Sequence, residues 1–108
     1  MNSQDRLKHI LQKYRQGVCE ILGERLDSVI LYGSQARGDA ADGSDIDVLC
    51  IMKKPFDYSE LISKTSELTA AVSLEFDAVI SRVFVTREDY RSRSTPFLMN
   101  VGREGVPV

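Results

Sequence analysis

The chain has 108 residues, of which 43% are hydrophobic and 28% charged, with a formal net charge of −2. That length and balance fit one folded domain, expected to span 1–108, and exclude a disordered chain. Tracking a long phosphate backbone takes a clear positive excess, so direct nucleic-acid binding is not expected.

In chain order, Leu7, Ile10, Leu11, Tyr14, Val18, Ile21 and Leu22 recur at three- and four-residue steps, which predicts an amphipathic first helix with Ser3 as its N-cap. His9 falls on its polar side. The charged opening has no signal-peptide core, and no apolar run is long enough to span a bilayer. A cytoplasmic setting without membrane contact is therefore expected. Ser28–Tyr32 reads as a short buried strand stopped by Gly33. A polar stretch from Gly33 to Ser44 follows, opening on a short helical turn. Asp45–Met52 reads as a second strand.

Pro55 breaks that strand, and Asp57 with Glu60 three residues later suggests a capping box for another helix. Leu74–Ser81 is predicted as a third strand and Val83–Val85 as a fourth. Thr86 with Asp89 suggests a further cap, and Thr95-Pro96 a last short helix closed by Gly105. A shared site at Gly33 and Asp45 needs the first two strands antiparallel. A helical crossover makes the second and third parallel. The expected class is thus α+β, a small mixed sheet flanked by helices. Cys19 and Cys50 are expected to be buried free thiols.

Asp45 and Asp47 are two apart on a strand, so both carboxylates leave one face. Paired carboxylates at the mouth of an apolar strand repel each other unless a cation neutralises them. Oxygen ligands without nearby His or Cys favour Mg²⁺, or Mn²⁺, over Zn²⁺. Asp77, in Glu75-Phe76-Asp77-Ala78-Val79-Ile80, is a third candidate ligand and the best general base. With three carboxylates, two metals can serve in-line phosphoryl displacement. Glu75, two residues earlier, competes with Asp77 for that place. Gly33-Ser34 supplies the anion half: glycine admits close approach of a phosphate, and the Ser34 hydroxyl and the amides opening the next helix can donate to it. Arg37, about one turn later, is placed to reach a triphosphate.

Taken singly, Asp-x-Asp, Gly-Ser, Arg37 and Asp77 have ordinary readings as turns, surface charges or an edge charge that blocks aggregation. Their order along the chain is what lets them converge.

The run GSQARGDAADGSDIDVLC resembles the minimal nucleotidyltransferases of the DNA polymerase β-type nucleotidyltransferase superfamily. Their motif is Gly-Ser-x-Ala-Arg-Gly followed by Ser-Asp-Ile-Asp, with a third carboxylate on a later strand. The resemblance covers nearly the whole chain, and the ending PFLMNVGREGV looks like that of members paired with HEPN partners. It implies a polymerase β-like fold and an antitoxin of the HEPN/MNT type, which moves AMP from ATP onto a tyrosine hydroxyl of a HEPN ribonuclease toxin in a hetero-oligomer. It implies that Gly33, Ser34, Arg37 and Ser44 bind nucleotide. Asp45, Asp47 and Asp77 would be the catalytic carboxylates and the Mg²⁺ ligands.

Two other functions compete. A non-catalytic antitoxin would block its toxin sterically through Phe97, Leu98 and Val101. A transferase with another acceptor would modify tRNA or a small molecule, against which the mild acidity and small size argue.

Overall fold

Four strands line up in the order β3-β2-β1-β4, with helices on both faces. The computed structural model describes residues 2–41 and 43–108. The elements are α1 (Ser3–Leu22), β1 (Leu26–Tyr32), α2 (Ser34–Arg37), β2 (Ile46–Met52), α3 (Tyr58–Phe76), β3 (Ile80–Thr86), α4 (Arg87–Ser92), α5 (Pro96–Glu104) and β4 (Val106–Pro107). As the connectivity requires, β1 pairs antiparallel with β2, and β2 pairs parallel with β3. The expected mixed sheet is present.

The strands alternate between two cores. Val29, Leu31, Val48 and Cys50 face α1 and α3. Their neighbours Ile30, Leu49 and Ile51 face α5, where Leu98 and Val101 cover them. Period-two alternation makes both faces apolar, so each needs a helical layer. On α1, Ile10, Tyr14, Val18 and Leu22 are buried at four-residue steps, and α3 answers with Leu61, Thr65, Thr69 and Val72. The Tyr14 hydroxyl and Thr69 Oγ1 are 2.8 Å apart, which satisfies the one polar atom that Tyr14 carries into the core. Arg82 on β3 donates to Thr65 Oγ1 at 2.7 Å and to the Ile62 carbonyl at 2.9 Å, tying strand to helix.

Several sequence expectations need correction. Leu74–Phe76 are the last turn of α3, not the start of a strand, and Leu74 is 84% exposed. Asp77 ends that helix in the left-handed region, φ 50°, with its amide on the Ser73 carbonyl. The third strand begins at Ile80 and absorbs Val83–Val85, which are not a separate strand. Asn2, not Ser3, caps α1 by accepting the Asp5 amide. Asp57 does cap α3, but Glu60 turns away to Arg25 and Lys64, so no capping box closes. The two-residue strand β4, beside β1, has no signal in the sequence. Thr86 and Thr95 cap α4 and α5 as expected. Both cysteines are free, Cys50 buried and Cys19 partly so.

Candidate functional site

Strand β1 ends at Tyr32, and the chain turns through Gly33 into α2. Gly33 has φ 78°, which favours glycine, and its carbonyl accepts the Ala36 and Arg37 amides at 3.1 Å each. A side chain is also barred by space: a Cβ on Gly33 would stand 2.5 Å from Asp47 Oδ2. The glycine thus brings the turn directly against the second carboxylate of the Asp-x-Asp pair.

Asp47 lies opposite Tyr32 on β1 and Ser81 on β3. It shares parity with Leu49 and Ile51 and so points to the α5 face. Asp45 stands just before β2, which is anchored by the Ile46 amide on the Val79 carbonyl at 2.8 Å. Burial, and then the charge of Asp45, hold the Asp47 carboxyl above its ordinary value. The Tyr32 hydroxyl beside it is pushed up to about 12, by burial and then by the Asp47 charge. Tyr32 also packs edge-on against Phe97, ring centroids 5.3 Å apart.

The cationic side comes from α2. Arg37 pairs with Glu104 at 3.1 Å and with Asp39 at 3.2 Å, and these partners raise its guanidinium pKa further. The other oxygen of Glu104 accepts the Gly33 amide at 3.3 Å. Glu104 is a residue of this site that sequence reasoning misses. It lies 71 residues from Gly33, and only the folding of α5 over the sheet brings it there.

The structure therefore brings together Gly33, Ser34, Arg37, Asp45 and Asp47. Ser44 is set apart: its carbonyl accepts the Gln35 side chain at 3.2 Å, and it lines a cleft of about 640 Å³ on the α1–α3 side of the sheet. Asp77 lines that same cleft, with Ser3, Arg6 and Ser73. It forms no cluster with Asp45 and Asp47: among the described residues no three acidic, His or Cys side chains converge as a metal cage would need. Glu75 is on α3, paired with Lys13. Two hard, mutually repelling carboxylates beside a close-approach glycine and an arginine suit a divalent cation with a bound polyphosphate. Among the described residues no helix is long and apolar enough to cross a membrane.

A nucleotidyltransferase domain model matches residues 11–95, which contain the glycine turn and all three aspartates. A candidate protein adenylyltransferase of Methanocaldococcus jannaschii is 33% identical over 99 residues, covering 92% of this chain and 95% of that protein. A crystal structure of a toxin–antitoxin with AMP-PNP superposes with a TM-score of 0.60 at 20% identity, over 98% of this chain and 72% of that one. A candidate minimal nucleotidyltransferase superposes with a TM-score of 0.58 at 22% identity, over 93% of this chain and 94% of that one. At such identity the structural matches speak for the fold, while the domain match and the archaeal relative speak for the family. The chain belongs to the nucleotidyltransferase domain family and is a nucleotidyltransferase.

Proposed function

We propose that this enzyme is the antitoxin of a prokaryotic cytoplasmic toxin–antitoxin pair, and that it transfers AMP from ATP to a tyrosine hydroxyl of a HEPN ribonuclease toxin. The observation that carries the chemistry is the contact of the Gly33 turn with Asp47, which sets an anion-binding turn against a cation-binding pair. The relative from M. jannaschii supports a protein acceptor, and the toxin–antitoxin structure with AMP-PNP supports the nucleotide and a toxin as the partner.

In the proposed reaction the acceptor oxygen attacks the α-phosphorus of ATP. The bond from that phosphorus to the β-phosphate bridging oxygen breaks, pyrophosphate leaves, and the hydroxyl proton passes to a carboxylate of the site. Asp45 and Asp47 would hold Mg²⁺, which when bound neutralises phosphate charge and lowers the pKa of a hydroxyl. Gly33, Ser34 and Arg37 would hold the triphosphate, with Ser44 bracing α2 through Gln35. Asp77 enters as the third carboxylate through the family resemblance. To reach the site, its turn at the end of α3 must open and β3 must extend backwards. Two residues per pleat would then put position 77 on the face of Ser81 and Asp47.

The test is to incubate the chain and its toxin with Mg·ATP and weigh the toxin by mass spectrometry. A gain of AMP mass is expected. The double variant Asp45→Asn/Asp47→Asn should lower the transfer rate on the order of 10³-fold, since metal-based charge stabilisation supplies several kcal/mol of the barrier reduction. A toxin that is bound and neutralised without gaining mass would overturn the proposal in favour of steric blocking.

A further inference from the structure

The anion half of the site already holds an anion. Glu104, the last residue of α5, uses one oxygen to accept the Gly33 amide at 3.3 Å and the other to accept an Arg37 Nη1–H at 3.1 Å. These are two of the donors assigned above to the triphosphate. A carboxylate bridging a backbone amide and a guanidinium makes the same pair of charge-assisted contacts as two oxygens of a phosphate.

Packing fixes this placement. Leu98 and Val101 seat α5 on the sheet. At Gly105, directly after Glu104, a Cβ would lie 2.7 Å from Ile30 Cγ2 and 2.6 Å from the Val101 carbonyl oxygen, so the chain leaves the helix pressed against β1. The Glu104 side chain is 25% exposed and that of Arg37 46%, so water can reach the pair.

We propose that Glu104 is a built-in phosphate surrogate. It occupies the Gly33 amide and Arg37 in the nucleotide-free chain, and the triphosphate must displace it, so that nucleotide affinity is set by competition with this side chain. The proposal rests on the nucleotidyl-transfer reading of the same site. A partly exposed ion pair is weak and screened, whereas a triphosphate brings more charge and more acceptor oxygens, so the exchange runs forward. Asp39 keeps its contact with Arg37 Nε and holds the guanidinium in place while Nη1 changes partner. Once displaced, Glu104 is repelled by the phosphate it has yielded to. Binding of nucleotide is thereby coupled to the end of α5, the helix whose Phe97 and Met99 are exposed.

The test compares wild type, Glu104→Gln and Glu104→Ala by calorimetric titration with Mg·AMP-PNP, and separately with tripolyphosphate without metal. The Gly33 amide is followed by ¹⁵N NMR. Removing one partly exposed competing charge should tighten triphosphate binding about two- to fivefold in Glu104→Ala, with Glu104→Gln intermediate. Adenosine, which carries no phosphate, should bind all three alike. The Gly33 resonance of the free alanine variant should lie away from that of free wild type, and the two should converge on saturation with tripolyphosphate. Equal or weaker triphosphate binding by the folded variants would overturn the proposal and make Glu104 a support for the turn, while leaving nucleotidyl transfer intact. Absence of triphosphate binding in wild type and variants alike would overturn both. If the alanine variant fails to fold, the near-isosteric glutamine variant decides.

Discussion

Asp47 stands half-buried between Tyr32 and Ser81, close to Asp45, and its carboxyl is held above the usual range. A raised carboxyl pKa means that folding favours the neutral form. The resulting destabilisation is present at pH values above the raised pKa and is relieved as pH falls through it. Asp47→Asn should therefore raise the melting temperature in EDTA by about 1–3 °C at neutral pH while abolishing transfer, a divergence that thermal unfolding and a transfer assay would expose. Mg²⁺ affinity of the native chain should weaken as pH drops through the raised pKa, because a proton on Asp47 competes with the cation; calorimetric titration with Mg²⁺ across that pH range would measure it. Gly33→Ala should cost about 1–3 kcal/mol, since positive φ and the Asp47 oxygen both exclude a methyl group; denaturant unfolding would measure it. Gly33, Asp45 and Asp47 were legible in the sequence because their geometry is local: alternation on a strand and a turn at its end. Glu104 was not, because nothing near it in the chain signals the Gly33 amide that it reaches.

At the scale of elements, the misplaced boundary is the junction of α3 and β3. Leu74-Glu75-Phe76 contains no helix breaker, and the buried positions 61, 65, 69 and 72 carry the helical period right up to it. With apolar residues on both sides, Leu74–Ser81 looks strand-like, yet the hydrogen bonds of the helix continue until Asp77 takes the left-handed conformation that Asp tolerates better than most residues. Asp77 thereby leaves the strand on which its expected role depends. The final helix was legible from Thr95-Pro96 and Gly105, but its inward face was not. Leu98 and Val101 are buried beneath α5, so of the three residues expected as docking surface only Phe97 is exposed. Leu98→Ala should destabilise the chain by about 2–4 kcal/mol, whereas Phe97→Ala should cost less than about 1 kcal/mol in the free chain and chiefly weaken toxin binding; denaturant unfolding and a binding titration separate the two.

For the whole molecule, α1 and α3 cover one face of the sheet, and α5 with Tyr90 of α4 covers the other. Asp47 and Tyr32 lie on the second face, and Phe97, in edge contact with Tyr32, is exposed beside them. A protein acceptor docked on α5 would bring its hydroxyl to the carboxylates and exclude water from them, a task for which larger transferases need further chain. The antiparallel β1–β2 pair and the parallel β2–β3 crossover were readable from connectivity alone, whereas the place of β4 beside β1 was not. The most direct measurement is anomalous diffraction from crystals of the chain with its toxin and Mn²⁺·AMP-PNP. Manganese is expected between the carboxylates of Asp45 and Asp47 on the α5 face, with the triphosphate against Gly33 and Ser34. Manganese bound instead in the cleft of Asp77 and Ser44, or nucleotide bound away from the Gly33 turn, would contradict the proposed site.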